Sequence, residues 1–166
     1  MAQISLGGNP VNTNGDLPAV GDRAPHFELT AVDLSPLNSS DLAGQRVVLS
    51  IFPSLDTATC QAGVRAFNER VSSLENTVVV CASADLPFAA KRFCGAENIE
   101  NVLTGSTFKS PDFARDYGVA LVDGKLEGLC ARSVVVFDEQ GIVTHSQLVP
   151  EIGSEPDYDA AIAALS

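Results

Sequence analysis

Three apolar runs set the frame of the chain. Arg46-Val47-Val48-Leu49-Ser50-Ile51-Phe52 and Thr77-Val78-Val79-Val80-Cys81-Ala82-Ser83 are nearly continuous in hydrophobic residues, the pattern of strands buried on both faces. Pro53 ends the first, because proline has no backbone N–H to give a ladder. Between them Cys60, Val64, Phe67, Val71 and Leu74 recur every third or fourth residue, which predicts one apolar face of a helix. Arg65, Asn68, Glu69 and Arg70 fall largely elsewhere. The third run, Ser133-Val134-Val135-Val136-Phe137, is followed by Ile142-Val143-Thr144-His145-Ser146 across Asp138-Glu139-Gln140-Gly141, a hairpin signal.

Weaker patterns fill the rest. Gln3-Ile4-Ser5-Leu6 alternates and meets the turn residues Gly7-Gly8-Asn9-Pro10, so an opening hairpin is expected. Asn14-Gly15-Asp16 is a further turn. His26-Phe27-Glu28-Leu29-Thr30 alternates as a strand does, and Ser39 to Gly44 reads as a short helical turn. Asp85-Leu86-Pro87 predicts a helix start, with Asp85 as cap and Pro87 in the first turn. That helix is expected to end near Cys94-Gly95. Ser110-Pro111-Asp112-Phe113-Ala114 opens another, and Asp157 to Leu165 a terminal one. Strands alternating with helices and closing on a hairpin predict an α/β sandwich around a mixed sheet. The chain is expected to form one domain over residues 1–166, with residues 1–20 as its N-terminal hairpin.

Composition narrows the function. The 166 residues are 45% hydrophobic, enough for a sizeable core, and contain no Trp, so Val, Leu, Ile and Ala carry the packing. A formal net charge of −11 argues against nucleic acid or an anionic membrane as partner. Met1-Ala2-Gln3-Ile4-Ser5 lacks the basic stretch and apolar run of an export signal, so the chain is expected in the cytoplasm, where thiols stay reduced. The four cysteines, Cys60, Cys81, Cys94 and Cys130, are then buried thiols, metal ligands or redox groups. Their spacing contains no C-x-x-C pair and fits no ordinary zinc pattern. No G-x-G-x-x-G or P-loop is present. No metal and no cofactor is expected.

The informative segment is Phe52-Pro53-Ser54-Leu55-Asp56-Thr57-Ala58-Thr59-Cys60. It joins the end of a buried strand to the start of a helix, where open α/β sheets place their sites. Cys60 is expected in or near the first helical turn, among unpaired N–H groups and the positive end of the helix dipole. Both favour a thiolate, the nucleophilic form. Asp56 and Glu69 would oppose it if close, and the segment supplies no nearby cation. On pattern alone Cys60 also suits a small core residue, Thr57 a helix cap, Arg132 a strand-edge charge and Cys94 an inert thiol. Cys81, mid-strand among valines, reads as core. Cys130 receives no role, and His26 and His145 read as structural or surface residues.

Pro53-x-x-x-Thr57-x-x-Cys60 resembles the active-site motif of the peroxiredoxins. The longer string from Phe52, the segment Ser83-Ala84-Asp85-Leu86-Pro87-Phe88-Ala89 with Lys91-Arg92-Phe93-Cys94-Gly95, and the opening hairpin are similar to its bacterial thiol peroxidase branch, atypical two-cysteine enzymes. The resemblance covers nearly the whole chain. It implies a thioredoxin-like sandwich with a mixed central sheet and an N-terminal β-hairpin extension. It implies that Cys60 is the peroxidatic cysteine, oxidised by hydrogen peroxide or organic hydroperoxides to a sulfenic acid. Thr57 would hold thiolate and peroxide in line, and Pro53 would shield the sulfur. Arg132 would supply the missing cation, and Cys94 would resolve the sulfenic acid as an intramolecular disulfide. Thioredoxin would reduce that disulfide, and the chain would form a homodimer. A peroxide sensor or redox relay, passing the oxidation to a partner protein, is the alternative. With both helices formed, the two sulfurs are expected to lie too far apart to bond without local unfolding near Cys94.

Overall fold

Backbone pairing in the computed structural model, which describes residues 1–166, puts the two valine-rich runs at the centre. They form β5 (Arg46–Ile51) and β6 (Thr77–Ser83), parallel to one another. On one side β8 (Ser133–Phe137) runs antiparallel to β5, and β9 (Val143–Leu148) antiparallel to β8. On the other side β7 (Leu103–Ser106) is parallel to β6, followed by the antiparallel pair β3 (Glu28–Thr30) and β4 (Pro36–Asn38). The result is a seven-stranded mixed sheet in the order β4-β3-β7-β6-β5-β8-β9.

Alternation along the central strands explains the layers. Val47, Leu49, Ile51, Val80, Ala82, Val135 and Phe137 point to one face, where α3 (Pro111–Asp116) supplies Phe113 and the adjoining Tyr117 is buried. Val48, Val79, Cys81, Val134 and Val136 point to the other, as period-two geometry requires. That second face is covered by α1 (Ala58–Val71), α2 (Pro87–Glu97) and α4 (Tyr158–Ala163). Within α1, Cys60, Val64, Phe67 and Val71 are the face turned to the sheet. Phe67 is fully buried and meets Tyr158 edge-on, ring centroids 5.2 Å apart.

The opening hairpin, β1 (Gln3–Leu6) and β2 (Asn9–Asn12), is a separate two-stranded sheet. Gly7 and Gly8 form its turn with φ of 58° and 83°, the doubly positive conformation that matches strand twist and that side chains resist. Ile4 and Val11 sit opposite one another and are both buried in the α3-side layer. Ser5 pairs in parallel with Glu151, beyond the end of β9, which ties the hairpin to the chain's C-terminal region.

Several boundaries differ from the sequence reading. Helix α2 continues through Cys94 and Gly95 to Glu97, and Asn98 closes it in the left-handed conformation (φ 54°, ψ 43°) with its N–H donating to the Cys94 carbonyl. Asparagine tolerates that region, so glycine is not required there. Asp85 does not cap α2: the capping position is Leu86, with no side-chain bond. Leu74 lies past α1 but still packs on the same layer. Strands β4 and β7 are too short and too polar to stand out from the pattern.

Gly118 follows α3 with φ +70°, and a Cβ there would lie 2.2 Å from the Asp16 carbonyl oxygen. Gly118→Ala should lower unfolding stability by about 2–4 kcal/mol, combining backbone strain with a clash against rigid main chain. Urea denaturation checks this, and a loss below ~0.5 kcal/mol would contradict the packing described.

Candidate active site

Helix α1 starts where it does because Thr57 caps it. Thr57 is extended (φ −111°, ψ 145°), and its Oγ1 accepts the Cys60 N–H at 3.3 Å, which satisfies one of the orphan donors of the first turn. The same hydroxyl donates to the Ser54 carbonyl at 3.2 Å. Cys60 thus sits in the first turn, at the positive end of the helix. Its residue surface is 0% exposed.

Arg132 reaches this sulfur from a distant part of the chain. Ser133 pairs with Ile51 across β8 and β5, so the residue before β8 lies beside the residues that follow β5, at one end of the sheet. From there Arg132 Nη1 donates to Cys60 Sγ at 3.2 Å, and Nε donates to the Ile152 carbonyl at 2.7 Å. The side chain is only 5% exposed, and no carboxylate forms an ion pair with it. A buried guanidinium without a counter-charge is costly. The Cys60 sulfur is the side-chain group that meets this cation.

The loop between β5 and α1 is held from β6. Asp85, just past that strand, accepts from the Ser54 hydroxyl at 2.8 Å, the Leu55 N–H at 2.7 Å and the Ser83 hydroxyl at 2.7 Å. Pro53 is buried in this loop. Asp56, a potential adverse charge, faces solvent and stands 3.8 Å from Arg92, itself largely exposed. Exposed pairs of this kind contribute little. The role of Asp85 was not legible as anything but a cap, although a carboxylate placed after the adjacent parallel strand is the signal that could have marked it.

Cys94 lies elsewhere on the same side of the sheet. It is half-buried on α2 and packs against the layer that holds Cys60. It also lines a cavity of about 390 Å³ with Lys91, Asn98, Ile99, Val102 and Leu103 among its walls. Burial pushes its thiol pKa up. Cys81 is displaced upward further, first by burial and then by the nearby Cys94 charge. Burial raises Cys130 to about 12. All four cysteines are free. The structure therefore brings Cys60, Thr57 and Arg132 into one hydrogen-bonded set, with Pro53 in its loop, and leaves Cys94 outside that set.

His26 Nδ1 lies 2.8 Å from the Ser39 hydroxyl, and His145, whose Nε2 is buried without a partner, has its pKa lowered by burial. Neither hydrogen-bonds to a cysteine. No group of three or more His, Cys, Asp or Glu converges as a metal site. No helix is long and apolar enough to cross a membrane.

Comparison with known proteins agrees with the fold and the motif. The Redoxin family profile matches residues 19–162. The thiol peroxidase of Mycobacterium tuberculosis is 52% identical over 165 residues, covering 99% of both chains. A peroxiredoxin-like protein from Aquifex aeolicus superposes with a TM-score of 0.93 at 40% identity, over 98% of this chain and 95% of the other. The thiol peroxidase from Chromobacterium violaceum shares the fold with a TM-score of 0.89 at 20% identity, over 97% and 93% of the two chains. With its thioredoxin-like mixed sheet and its N-terminal hairpin, the chain belongs to the redoxin family, as a peroxidase of the peroxiredoxin group alongside the thiol peroxidases.

Proposed function

We propose that the chain reduces hydroperoxides in two chemical steps at Cys60 and Cys94. The observation that carries this reading is the buried Arg132 guanidinium on Cys60 Sγ. In the first step the Cys60 thiolate attacks the distal peroxide oxygen. The O–O bond breaks, and water or an alcohol leaves after taking up a proton. The sulfur is left as a sulfenic acid, oxidised by two electrons. Arg132 stands where negative charge grows on the departing oxygen, and the enclosed setting strengthens its effect. Thr57, now bonded to main chain, lines the approach at the exposed side of the loop and orients the peroxide by its hydroxyl. Pro53 keeps water from the sulfur.

In the second step Cys94 displaces hydroxide from the sulfenic acid, giving a disulfide and water. Its end of α2 is suited to move. Only Pro87 and Ala90 of that helix are buried, and its final turn rests on the Asn98 and Ile99 N–H bonds to the Cys94 carbonyl. Few buried contacts make local opening inexpensive. Thioredoxin then returns two electrons and two protons to regenerate both thiols. The resemblance to the thiol peroxidases also supports organic hydroperoxides alongside hydrogen peroxide as substrates, a homodimer, and the cytoplasm as the site of action.

The decisive experiment follows peroxide-dependent thioredoxin oxidation in the native chain, Cys60→Ser and Cys94→Ser, with disulfides mapped by mass. Cys60→Ser should abolish turnover. Cys94→Ser should consume about one peroxide per chain and then fail to recycle with thioredoxin. Full activity in Cys60→Ser, or a native disulfide between other cysteines, would reject the assignment.

Gly95→Ala tests the opening step. A Cβ at Gly95 meets nothing within 4 Å, and alanine stabilises a helix interior by about 0.5–1 kcal/mol. Disulfide formation after peroxide addition should therefore slow by about two- to fivefold, with the Cys60 oxidation rate unchanged. Equal rates of disulfide formation would mean that this turn need not unwind.

Thiol trapping adds a pH test. Raised pKa values keep Cys81 and Cys130 as neutral thiols at pH 8, so the reactive thiolate is scarce there. Iodoacetamide on the folded, reduced chain should leave both unlabelled after Cys94 has reacted, as peptide mass mapping would show. Early labelling of Cys130 would contradict its burial.

A further inference from the structure

The segment Pro150–Gly153 bonds Arg132 and the residue that precedes Cys60. Its Ile152 carbonyl accepts from Arg132 Nε at 2.7 Å. Its Gly153 carbonyl accepts from the hydroxyl of Thr59, the residue next to Cys60, at 3.0 Å. One short stretch of main chain therefore holds the cation and the start of the nucleophile's helix. This stretch is outside regular secondary structure, so its position depends on what grips it from behind.

The N-terminal hairpin does so. The Ser5 N–H donates to the Pro150 carbonyl at 2.8 Å, and the Ile152 N–H donates to the Ser5 carbonyl at 2.9 Å. Glu151 closes the clamp with its side chain: one carboxylate oxygen accepts from the Ser5 hydroxyl at 3.1 Å and the other from the Gly8 N–H at 3.2 Å. Gly8 belongs to the two-glycine turn, whose positive φ values present that N–H to the carboxylate. Ile4 and Ile152 are buried in the same layer.

We infer that Glu151 is a positioning residue of the peroxidase, acting through the Ile152 carbonyl to hold the Arg132 guanidinium against Cys60, with the N-terminal hairpin as its anchor. The inference rests on the reading of Cys60 and Arg132 given above. A guanidinium has several donors and a flexible stem, so a hydrogen bond at Nε is what selects the orientation that leaves Nη1 on the sulfur. Small misplacements of an oriented group cost rate steeply.

The test uses the Cys94→Ser chain, in which only the first chemical step takes place, and follows dimedone-trapped Cys60 sulfenic acid after mixing with hydrogen peroxide. Glu151→Ala should slow this step by about tenfold. Glu151→Gln, which keeps an acceptor oxygen, should restore most of the rate. In the Arg132→Lys background, Glu151→Ala should have no further effect beyond about twofold, because its action passes through the guanidinium. If Glu151→Ala does not fold, Ser5→Ala, which removes one bond of the clamp, is measured in the same cycle. Slowed oxidation in Arg132→Lys with unchanged oxidation in Glu151→Ala overturns the positioning role alone. An equal slowing by Glu151→Ala in both backgrounds also overturns it. Unchanged oxidation in Arg132→Lys overturns the reading of Arg132 and this inference with it.

Discussion

A guanidinium buried without a carboxylate is the constraint around which the active end of the molecule is organised. Arg132 is nearly enclosed, and its two hydrogen bonds go to a main-chain carbonyl and to the Cys60 sulfur. Full desolvation of a cation is tolerated only where the surroundings return comparable interaction. The Ile152 carbonyl and the Cys60 sulfur are the partners the fold places on it, and the positive start of α1 lies on the far side of that sulfur's own residue, in the first helical turn. Structure and chemistry thus depend on one contact.

Everything else at that end serves its geometry. Antiparallel pairing of β5 with β8 brings the two residues to the same end of the sheet. Thr57 fixes the first turn of α1, and Asp85 fixes the preceding loop from the neighbouring parallel strand. The stretch Pro150–Gly153 joins the two sides. These supports come from separate parts of the chain, so the site is preorganised by the fold rather than by any single loop.

Cys94 shows the opposite design. Its helix buries little, ends on a left-handed asparagine and borders a cavity. For the proposed two-step mechanism, a rigid nucleophile and a loosely held resolving thiol are complementary requirements. The first step needs fixed charges, and the second needs two sulfurs brought to bonding distance. Burial pushes the Cys81 and Cys130 thiols up, away from the reactive thiolate form.

The sequence by itself determined the central strands, the apolar face of α1 and the hairpins, because each rests on local periodicity or turn chemistry that residues carry wherever they are placed. It also displayed Pro53, Thr57 and Cys60, since a strand end, a cap and a first-turn cysteine fall within one short segment. Arg132 was recognisable only through family resemblance: nothing in its local pattern separates it from a strand-edge charge, and its partner is 72 residues away. The end of α2 was misplaced because asparagine can close a helix as glycine does. Asp85 looked like a cap, and only the neighbouring strand turned its carboxylate toward the loop. Tertiary structure alone decided the parts played by the Ile152 and Gly153 carbonyls and by Glu151. A backbone oxygen has no residue identity to read, and where it points is settled by pairing between segments far apart in the chain.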